Sequence, residues 1–392
     1  MNMGKIIVVG SGWSGAVIAR EIAEKLNRKV TIIEKRNHIG GNMYDEYDEH
    51  NILIQRYGPH YFCTNQYDVV EYVTQYTDLY EHVFKTRTFI DEKYIFCPYN
   101  FQTIIDLVGA KQASILFKKF RNKFGEQRTV SMYEIIRCDD TEIVSLANLL
   151  FEKVYRNYVA KMWGHTPEEL DYSIVDRTPL ILDFSDRKGS LDFYFMPVKG
   201  YTNLFKEMLS HDNICVELNT NAIDHIKLNE EKKIVYYDDE VVECLIFTGP
   251  IDELFGMKYG ALPYRTLDIK YDYYEVDSML PCEVVYYPQA DGYTRRTEFK
   301  KQMLDESVCK GTVVATEYPM EYKANRLAEN EPFYPVLTED SRAIYSKYLQ
   351  FSKEYSNLFL LGRLADFRYY DMDAAIKHAL DYFDVVKNYL NG

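Results

Sequence analysis

Six residues near the N-terminus carry the clearest chemical signal in this chain of 392 residues, a Gly-Ser-Gly-Trp-Ser-Gly run from Gly10 to Gly15. The run has the spacing G-x-G-x-x-G and lies between a β-branched segment, Lys5–Val9, and apolar residues at helical spacing. In a strand–turn–helix unit such glycines allow a tight turn and a close approach of the backbone to a pyrophosphate at the helix N-terminus. Glu34, 19 residues after the last glycine, is placed to bind a ribose hydroxyl. The pattern predicts a dinucleotide site, although taken alone it also allows an ordinary βαβ turn.

A glycine pair, Gly40–Gly41, follows Glu34 and would let more backbone approach a cofactor, but an ordinary turn explains it equally well. Other site chemistries lack a signal. The sequence contains no G-x-x-x-x-G-K-[ST], no G-x-S-x-G and no H-E-x-x-H, which argues against P-loop, hydrolase and zinc-protease sites. The eight histidines form no cluster with metal-ligand spacing, so we expect no metal site.

The elements that must position these residues begin with a strand at Lys5–Val9 and the helix that follows it. Residues 100–176 are predicted to be mainly helical, and residues 177–345 are richer in strands. A strand at Leu358–Leu361 and a helix from about Asp371 close the chain. The predicted fold class is therefore α/β, with a dinucleotide unit that returns at the C-terminus.

Composition limits the partners of the protein. With 60 acidic and 46 basic residues the formal net charge is −14, which argues against a nucleic-acid or anionic membrane surface, because phosphate affinity needs clustered cations. No apolar run approaches the ~20 residues of a transmembrane helix, and the first residues lack a signal-peptide pattern. Seven scattered cysteines without C-x-x-C fit reduced thiols. We expect a cytoplasmic protein that binds neither nucleic acid nor membrane.

Further segments, together with the glycine run, resemble bacterial UDP-galactopyranose mutases in family order from end to end. They are Ile33–Asn42, Tyr57-Gly58-Pro59-His60, Trp163-Gly164, Tyr293-Thr294-Arg295, Glu317-Tyr318-Pro319, Gly362-Arg363-Leu364-Ala365 and Tyr369-Tyr370-Asp371-Met372. The resemblance implies a discontinuous Rossmann-like FAD-binding domain (1–80, 195–265 and 346–392), a helical domain (100–176) and an antiparallel β-sheet domain (177–194 and 266–345). It also implies a mobile lid near 172–187.

The resemblance further implies a cofactor and a reaction. The cofactor is FAD, in its reduced form for activity, and the substrate is a UDP- or dTDP-linked hexose of galacto type. In the family's mechanism the flavin N5 atom displaces the nucleotide from the anomeric carbon, and the sugar recloses from a covalent flavin N5–sugar adduct. The reaction interconverts hexopyranose and hexofuranose without net redox change, for surface polysaccharide such as O-antigen. A homodimer is a further expectation.

The same matches imply the site residues. The catalytic residues would be His60, beside the flavin, and Arg177 and Arg295, whose planar guanidinium groups suit pyrophosphate oxygens. The cofactor-binding residues would be Gly10, Gly12, Trp13, Ser14, Gly15, Glu34, Lys35, Gly41, Asn42, His60, Arg363, Asp371 and Met372. The substrate-binding residues would be Thr86, Tyr158, Trp163, Arg177, Lys188, Arg295, Tyr318 and Tyr369, with Tyr158 on the base and Tyr318 and Tyr369 on phosphate.

The chain departs from the family's pattern at three positions. Cys63 stands where many members have a second histidine, Thr86 where an asparagine often faces the hexose, and Lys188 where a tyrosine reaches the pyrophosphate. Fewer hydrogen-bonding groups around a sugar hydroxyl would suit a 6-deoxy hexose, such as that of dTDP-fucopyranose. The hexose and the base therefore stay open.

Two other function classes share parts of the pattern. An FAD-dependent oxidoreductase of the amine-oxidase type has the same N-terminal fingerprint, but it does not require the paired arginines and tyrosines. A nucleotide-binding protein without catalysis is the third class.

Overall fold

The computed structural model of the chain describes residues 4–171, 178–187, 191–323 and 331–392. Its central sheet is parallel, with described strands in the order Ile214–Glu217, Val30–Ile33, Ile6–Val9, Cys244–Phe247 and Leu358–Leu360. The inner strands are short apolar runs because the sheet is covered on both faces. Neighbouring strands come from distant parts of the chain, which confirms the predicted discontinuous α/β unit.

Helices on the two faces of this sheet form two core clusters. Ile6 faces the cluster that contains the helices Trp13–Lys25 and Met372–Asn391. Ile7 belongs to the other cluster, together with the helix Glu339–Ser352. The split follows from the period of two along a strand. The first helix is thereby fixed with its N-terminus next to the carboxyl end of the first strand.

Seven described strands form a second sheet. Their order is Tyr334–Pro335, Tyr264–Tyr274, Thr312–Glu321, Arg295–Glu298, Val284–Tyr286, Thr86–Ile90 and Lys93–Cys97. Neighbours are antiparallel except Val284–Tyr286 and Thr86–Ile90, which run parallel. The predicted antiparallel sheet therefore contains one parallel pair, and its last two strands come from a part of the sequence that precedes the helical region.

The region 100–176 is mainly helical, as predicted, where the structure describes it. Its helices are Phe101–Val108, Ala110–Phe124, Met132–Ile136, Thr141–Leu150 and Asn157–Trp163, and a π-helical turn, Phe151–Arg156, joins the last two. Such turns are frequent at functional sites. The buried faces of the first four helices and of the π-helical turn form a core of their own, beside a short strand pair, Thr129–Val130 with Leu180–Ile181, whereas the helix Asn157–Trp163 packs into the cluster that contains Ile7.

Smaller elements complete the fold. They are the helices Tyr67–Val73, Tyr201–Leu209 and Ile251–Leu254, the sheet Phe62–Thr64, Phe193–Pro197 and Leu79–Glu81, the sheet Ile226–Asn229, Ile234–Tyr237 and Glu240–Val241, and the pair Asp45–Tyr47 with Leu53–Gln55. Short 3₁₀ turns lie at Gly41–Met43, Pro167–Glu169, Ala222–Asp224, Phe299–Gln302 and Glu306–Val308. Within the described ranges, no helix has the length and apolarity that crossing a bilayer requires, and no group of His, Cys, Asp and Glu side chains is arranged to hold a metal ion.

Candidate active site

A cavity of about 1550 Å³ lies at the carboxyl ends of the central strands. Its lining includes the glycine run from Gly10 to Gly15, then Glu34 and the turn around Gly41, and it ends at Arg363. The helix Trp13–Lys25 begins at its edge, with Trp13, Ser14 and Gly15 in the first turn. Open parallel sheets bind ligands in this place, where the helix N-terminus favours negative charge. The position and size suit a dinucleotide.

The glycines of this cavity differ in what a side chain at each position would contact. Gly10 has a φ of +96°, and a Cβ there would lie 2.2 Å from Thr248 Oγ1. A Cβ on Gly15 would lie 1.9 Å from the Gly10 carbonyl oxygen, and one on Gly41 2.8 Å from the Gly12 Cα. At Gly12 the φ is −72° and the nearest protein atom would be 3.8 Å away. The protein itself has room for a side chain at Gly12, so this glycine leaves space for a ligand.

Glu34 is held at the end of its strand by the glycine turn. Its carboxylate accepts hydrogen bonds from the Ser11 amide (2.9 Å) and hydroxyl (2.7 Å), and from the Arg36 amide (2.9 Å). The side chain is buried and lines the large cavity. Three of the roughly four acceptor positions of the carboxylate are thus used within the protein, and binding of a ribose hydroxyl by Glu34 stays a prediction.

Two other predicted cofactor residues line the cavity with side chains that already have polar partners. The Lys35 ammonium lies 2.6 Å from a Glu331 carboxylate oxygen. The Asn42 amide oxygen accepts from Arg36 Nη2 at 3.0 Å. Trp13 also lines the cavity; its ring packs in the core cluster, and its indole Nε1 has no hydrogen-bond partner among the described residues.

A second cavity, of about 340 Å³, adjoins the first at Arg363, which lines both. It brings together predicted site residues from every part of the chain, namely His60, Cys63, Thr86, Tyr158, Trp163, Arg295, Arg363, Tyr369, Asp371 and Met372. Tyr158 and Trp163 come from the helix Asn157–Trp163, whereas Asp371 and Met372 begin the last helix.

Arg363 is held at the junction of the cavities by backbone and aromatic contacts. Its guanidinium donates to the carbonyl oxygens of Phe333 and Tyr370. It also lies 5.3 Å and 5.0 Å from the ring centroids of Tyr334 and Tyr369. A guanidinium fixed in this way adds positive charge where the two cavities meet.

His60 is a half-buried, neutral residue of the small cavity. Its amide donates to Gln55 Oε1 at 2.5 Å, and its Nδ1 has no partner of ordinary hydrogen-bond geometry among the described residues. Burial, with the charges of Arg363 and Arg295, lowers the pKa of His60 to about 3. The imidazole is therefore uncharged at neutral pH, and this fits a role in shaping the cofactor site rather than proton donation.

Arg295, a half-buried residue, forms a bidentate ion pair with the buried carboxylate of Glu317. Its Nε and Nη2 donate to the two carboxylate oxygens of Glu317 at 2.8 and 2.7 Å, across paired positions of neighbouring strands. Burial opposes the charge of Arg295, but Glu317, Tyr286 and Tyr158 raise its pKa above the ordinary value. The guanidinium stays charged, with one edge taken by Glu317 and a further hydrogen bond shared with Tyr286, and it has five N–H groups in all to share with a ligand in the cavity.

Tyr334 is a cavity residue that the sequence did not reveal. It stacks on Tyr369, with ring centroids 5.5 Å apart and an interplanar angle of 4°. The Trp163 ring is inclined to both tyrosine rings, with its centroid 5.9 Å from that of Tyr334 and 6.2 Å from that of Tyr369. Burial raises the pKa of Tyr334, so its phenol keeps its proton. With 36 tyrosines in the chain, no spacing marks this one. The pairing of Tyr334–Pro335 beside Tyr264–Tyr274 decides its place.

Tyr318, in contrast, is not brought to the site. It follows Glu317 on the same strand and therefore points to the other face of the sheet. Its ring lies 6.0 Å from Tyr293, and the Lys270 ammonium is 4.8 Å from its centroid. Tyr318 lines neither cavity. The tyrosine that lies beside Tyr369 in the small cavity is Tyr334.

Two of the three positions where the chain departs from the family's pattern are among the described residues. Thr86 and Cys63 line the small cavity, and the Thr86 hydroxyl donates to the Cys97 carbonyl oxygen at 2.6 Å. Its proton is thus already used within the protein. Arg177 and Lys188 lie outside the described residues, as does part of the predicted lid.

Comparison with known proteins adds names to this geometry. Residues 153–369 match the family model described as UDP-galactopyranose mutase, and residues 8–76 match an NAD(P)-binding Rossmann-like domain. A UDP-galactopyranose mutase of Mycoplasma genitalium is 32% identical over 382 residues, which cover 96% of this chain and 93% of that protein. A dTDP-fucopyranose mutase of Escherichia coli is 33% identical over 383 residues, 97% of each chain. The crystal structure of a reduced UDP-galactopyranose mutase superposes with a TM-score of 0.73 at 13% identity, covering 99% of this chain and 94% of that one, and supports the fold.

Proposed function

This chain belongs to the UDP-galactopyranose mutase family, and we propose that it is an isomerase that interconverts the pyranose and furanose forms of a nucleotide-linked galacto-type hexose. One observation carries the proposal beyond the family. A dinucleotide-sized cavity meets, at Arg363, a smaller cavity lined by the ion-paired Arg295 and by aromatic side chains. A cofactor in the first could thus reach a nucleotide sugar in the second.

FAD fits the larger cavity by the test of this chain's own residues. The space against Gly12, the start of the first helix and the Glu34 carboxylate would hold its pyrophosphate and ribose, and Arg363 with Met372 would border its ring. Bound in the reduced form, FAD would supply the nucleophile for the anomeric carbon. This chemistry needs no Ser–His–Asp constellation from the protein.

The work of the protein is then to bind the pyrophosphate while its bond to the sugar breaks. Arg295 stays charged beside Glu317 and offers its free N–H groups to phosphate oxygens. Tyr334 keeps its proton and can donate to the same oxygens, and Tyr369 lies stacked beside it in the cavity. Tyr158 and Trp163 form an apolar wall that excludes water and can stack on the base. Arg177 and Lys188 are predicted to add positive charge from the lid.

The sugar is the less determined part of the substrate. A UDP-galactopyranose mutase and a dTDP-fucopyranose mutase are 32% and 33% identical to this chain, so identity does not choose between them. The Thr86 proton is used by Cys97, and Phe84 and Val284 add apolar surface to the same cavity. A methyl group at C6 needs no hydrogen-bond partner there. We propose that the enzyme accepts a 6-deoxy hexose as well as galactose, with a preference of at most ~1–3 kcal/mol.

The test is turnover of UDP-galactofuranose and dTDP-fucofuranose by dithionite-reduced protein under nitrogen. The proposal expects isomerisation without net electron transfer. Stoichiometric oxygen consumption with an amine substrate would favour the oxidase alternative, and the absence of any turnover by FAD-loaded protein would favour a binding protein. For the sugar, Thr86→Asn should shift the ratio of the two rates towards galactose. An unmoved ratio, with galactose preferred by orders of magnitude, contradicts the 6-deoxy proposal.

The cellular location, the biosynthetic role and the oligomeric state of the enzyme are also proposals. None of the seven cysteines forms a disulfide in the described residues, which fits a reducing cytoplasm where nucleotide sugars would be available. Supply of furanose units for surface polysaccharide, the homodimer, the mobile lid and the predicted domain boundaries stay predictions.

A further inference from the structure

Lys161 has its ammonium group enclosed by three carbonyl oxygens. Its Nζ donates to the carbonyls of Tyr287 at 2.6 Å, Ala290 at 2.7 Å and Tyr293 at 2.8 Å. These bonds use all three N–H groups of the ammonium. Burial lowers the pKa of Lys161 to about 8, and Asp291 acts in the opposite direction, so the group is charged at neutral pH. A lysine bound in this way has no hydrogen left for a ligand and acts on the protein itself.

The three carbonyls belong to the turn that joins two strands of the site. The turn leads from Val284–Tyr286 to Arg295–Glu298, and therefore directly into Arg295. Lys161 itself lies on the helix that presents Tyr158 and Trp163 to the small cavity. One ammonium thus joins the helix that carries Tyr158 and Trp163 to the strand that carries Arg295.

The C-terminal end of this helix, which carries Lys161, is also fixed by a second cation. Arg265, on the strand Tyr264–Tyr274, donates from Nε to the Met162 carbonyl at 2.8 Å and from Nη2 to the Lys161 carbonyl at 2.9 Å. These are carbonyls of the last helical turn, which have no intrahelical partner and which a cation satisfies. Because Arg265 fixes where the helix ends, Lys161 determines where the turn before Arg295 lies relative to it.

We propose that Lys161 is a positioning residue for the mutase reaction, which sets the distance between the Tyr158–Trp163 wall and Arg295. This inference rests on the proposed function. Without the ammonium, three converging carbonyls lose their common donor, and the turn should move away from the helix. Misplacement of a clamping group by about 1 Å can cost about 100-fold in turnover. We expect Lys161→Ala to lose turnover on that scale, and its KM for the nucleotide sugar to rise.

The experiment uses chemical rescue on the FAD-loaded enzyme. Propylammonium contains the atoms that Lys161→Ala removes, and it should restore turnover when added. Propan-1-ol has the same shape without the charge and should not restore it. Lys161→Met keeps the volume of the side chain, blocks the space for the amine and should lose turnover without rescue, which also covers the case in which the Ala variant folds poorly. Lys118→Met, an exposed site in the helical region, is the matched control and should behave as wild type.

Hydrogen exchange gives a readout that does not depend on the reaction. Amides of residues 287–294 should lose protection in Lys161→Ala and regain it with propylammonium, even if the wild-type protein turned over no nucleotide sugar. Lost turnover with propylammonium rescue, together with this exchange pattern, supports the proposal. Wild-type turnover in Lys161→Ala, or unchanged protection of residues 287–294, overturns it. If the wild-type protein has no mutase activity, while the amides of residues 287–294 in Lys161→Ala still regain protection with propylammonium, the proposed function is contradicted. In that case Lys161 still holds the turn, but it does so for another activity.

Discussion

The ion pair of Arg295 and Glu317 allows a test that separates folding from phosphate binding. Glu317 is 1% exposed and is held by two hydrogen bonds from one guanidinium, whose side chain is 18% exposed. Arg295→Met leaves that buried carboxylate without its partner, and breaking a buried pair in this way costs up to about 3–5 kcal/mol in the free energy of unfolding. The double variant Arg295→Met/Glu317→Leu replaces both charged groups by apolar side chains, so we expect its free energy of unfolding to return close to that of the wild type.

Turnover should follow a different order. If Arg295 binds the pyrophosphate as negative charge develops on it, its loss should reduce kcat/KM at least ~100-fold, on the ~2.7–4 kcal/mol scale for removing a transition-state donor. That loss should persist in the double variant, although stability has recovered. Arg295→Lys keeps the charge without the fork and should recover a part of the activity.

The assays are guanidinium unfolding of the FAD-loaded proteins and isomerisation kinetics under reducing conditions. FAD content should equal that of the wild type in all variants, since Arg295 does not line the dinucleotide cavity. Recovery of turnover in the double variant would refute the reasoning, because Arg295 would then serve to neutralise Glu317 alone. An unchanged free energy of unfolding in Arg295→Met would show that the pair is not desolvated as described.

Three further predictions concern the cavities. Gly12→Val should fold normally but lose at least ~10-fold in FAD affinity, whereas Gly15→Ala should unfold, because its Cβ would meet backbone at 1.9 Å; FAD absorbance and circular dichroism check both. Tyr334→Phe should raise the KM for the nucleotide sugar, and Tyr318→Phe should leave it unchanged, because the second side chain lies outside the cavity. His60 has a pKa of about 3, so the pH profile of kcat/KM should show no ionisation of this residue near pH 6.5. Because the imidazole binds its proton more tightly in the unfolded chain, the free energy of unfolding should fall as the pH decreases from about 6.5 towards 3. A His60→Gln variant should lack that contribution when unfolding is measured as a function of pH.

The sequence by itself determined the features that are local along the chain. The strands predicted at Lys5–Val9 and Leu358–Leu361 are found at Ile6–Val9 and Leu358–Leu360, and the last helix, predicted from about Asp371, begins at Met372. The glycine run and Glu34 meet as predicted because strand, turn and helix follow each other within one short unit. The order of motifs along the whole chain was enough to indicate the family.

The direction of a side chain within a sheet was decided by tertiary structure. Glu317 and Tyr318 are neighbours in one motif, yet the period of two along a strand sends the first to Arg295 and the second to the opposite face. Tyr334 reaches the cavity from an edge strand of two residues, too short to show a pattern of its own. Residue type and spacing do not specify which face of a strand is buried until its pairing partners are known.

Contacts between distant segments were also decided by the tertiary structure. Thr86 was predicted as a sugar contact, but strand pairing with Lys93–Cys97 directs its proton to the Cys97 carbonyl. Lys161 had no signal in the sequence, because its three partners are backbone carbonyls more than a hundred residues away. Backbone carbonyls are present at every position and leave no mark on residue type. Only the fold brings three of them to one point, and only there does a lysine become the group that holds two walls of the site together.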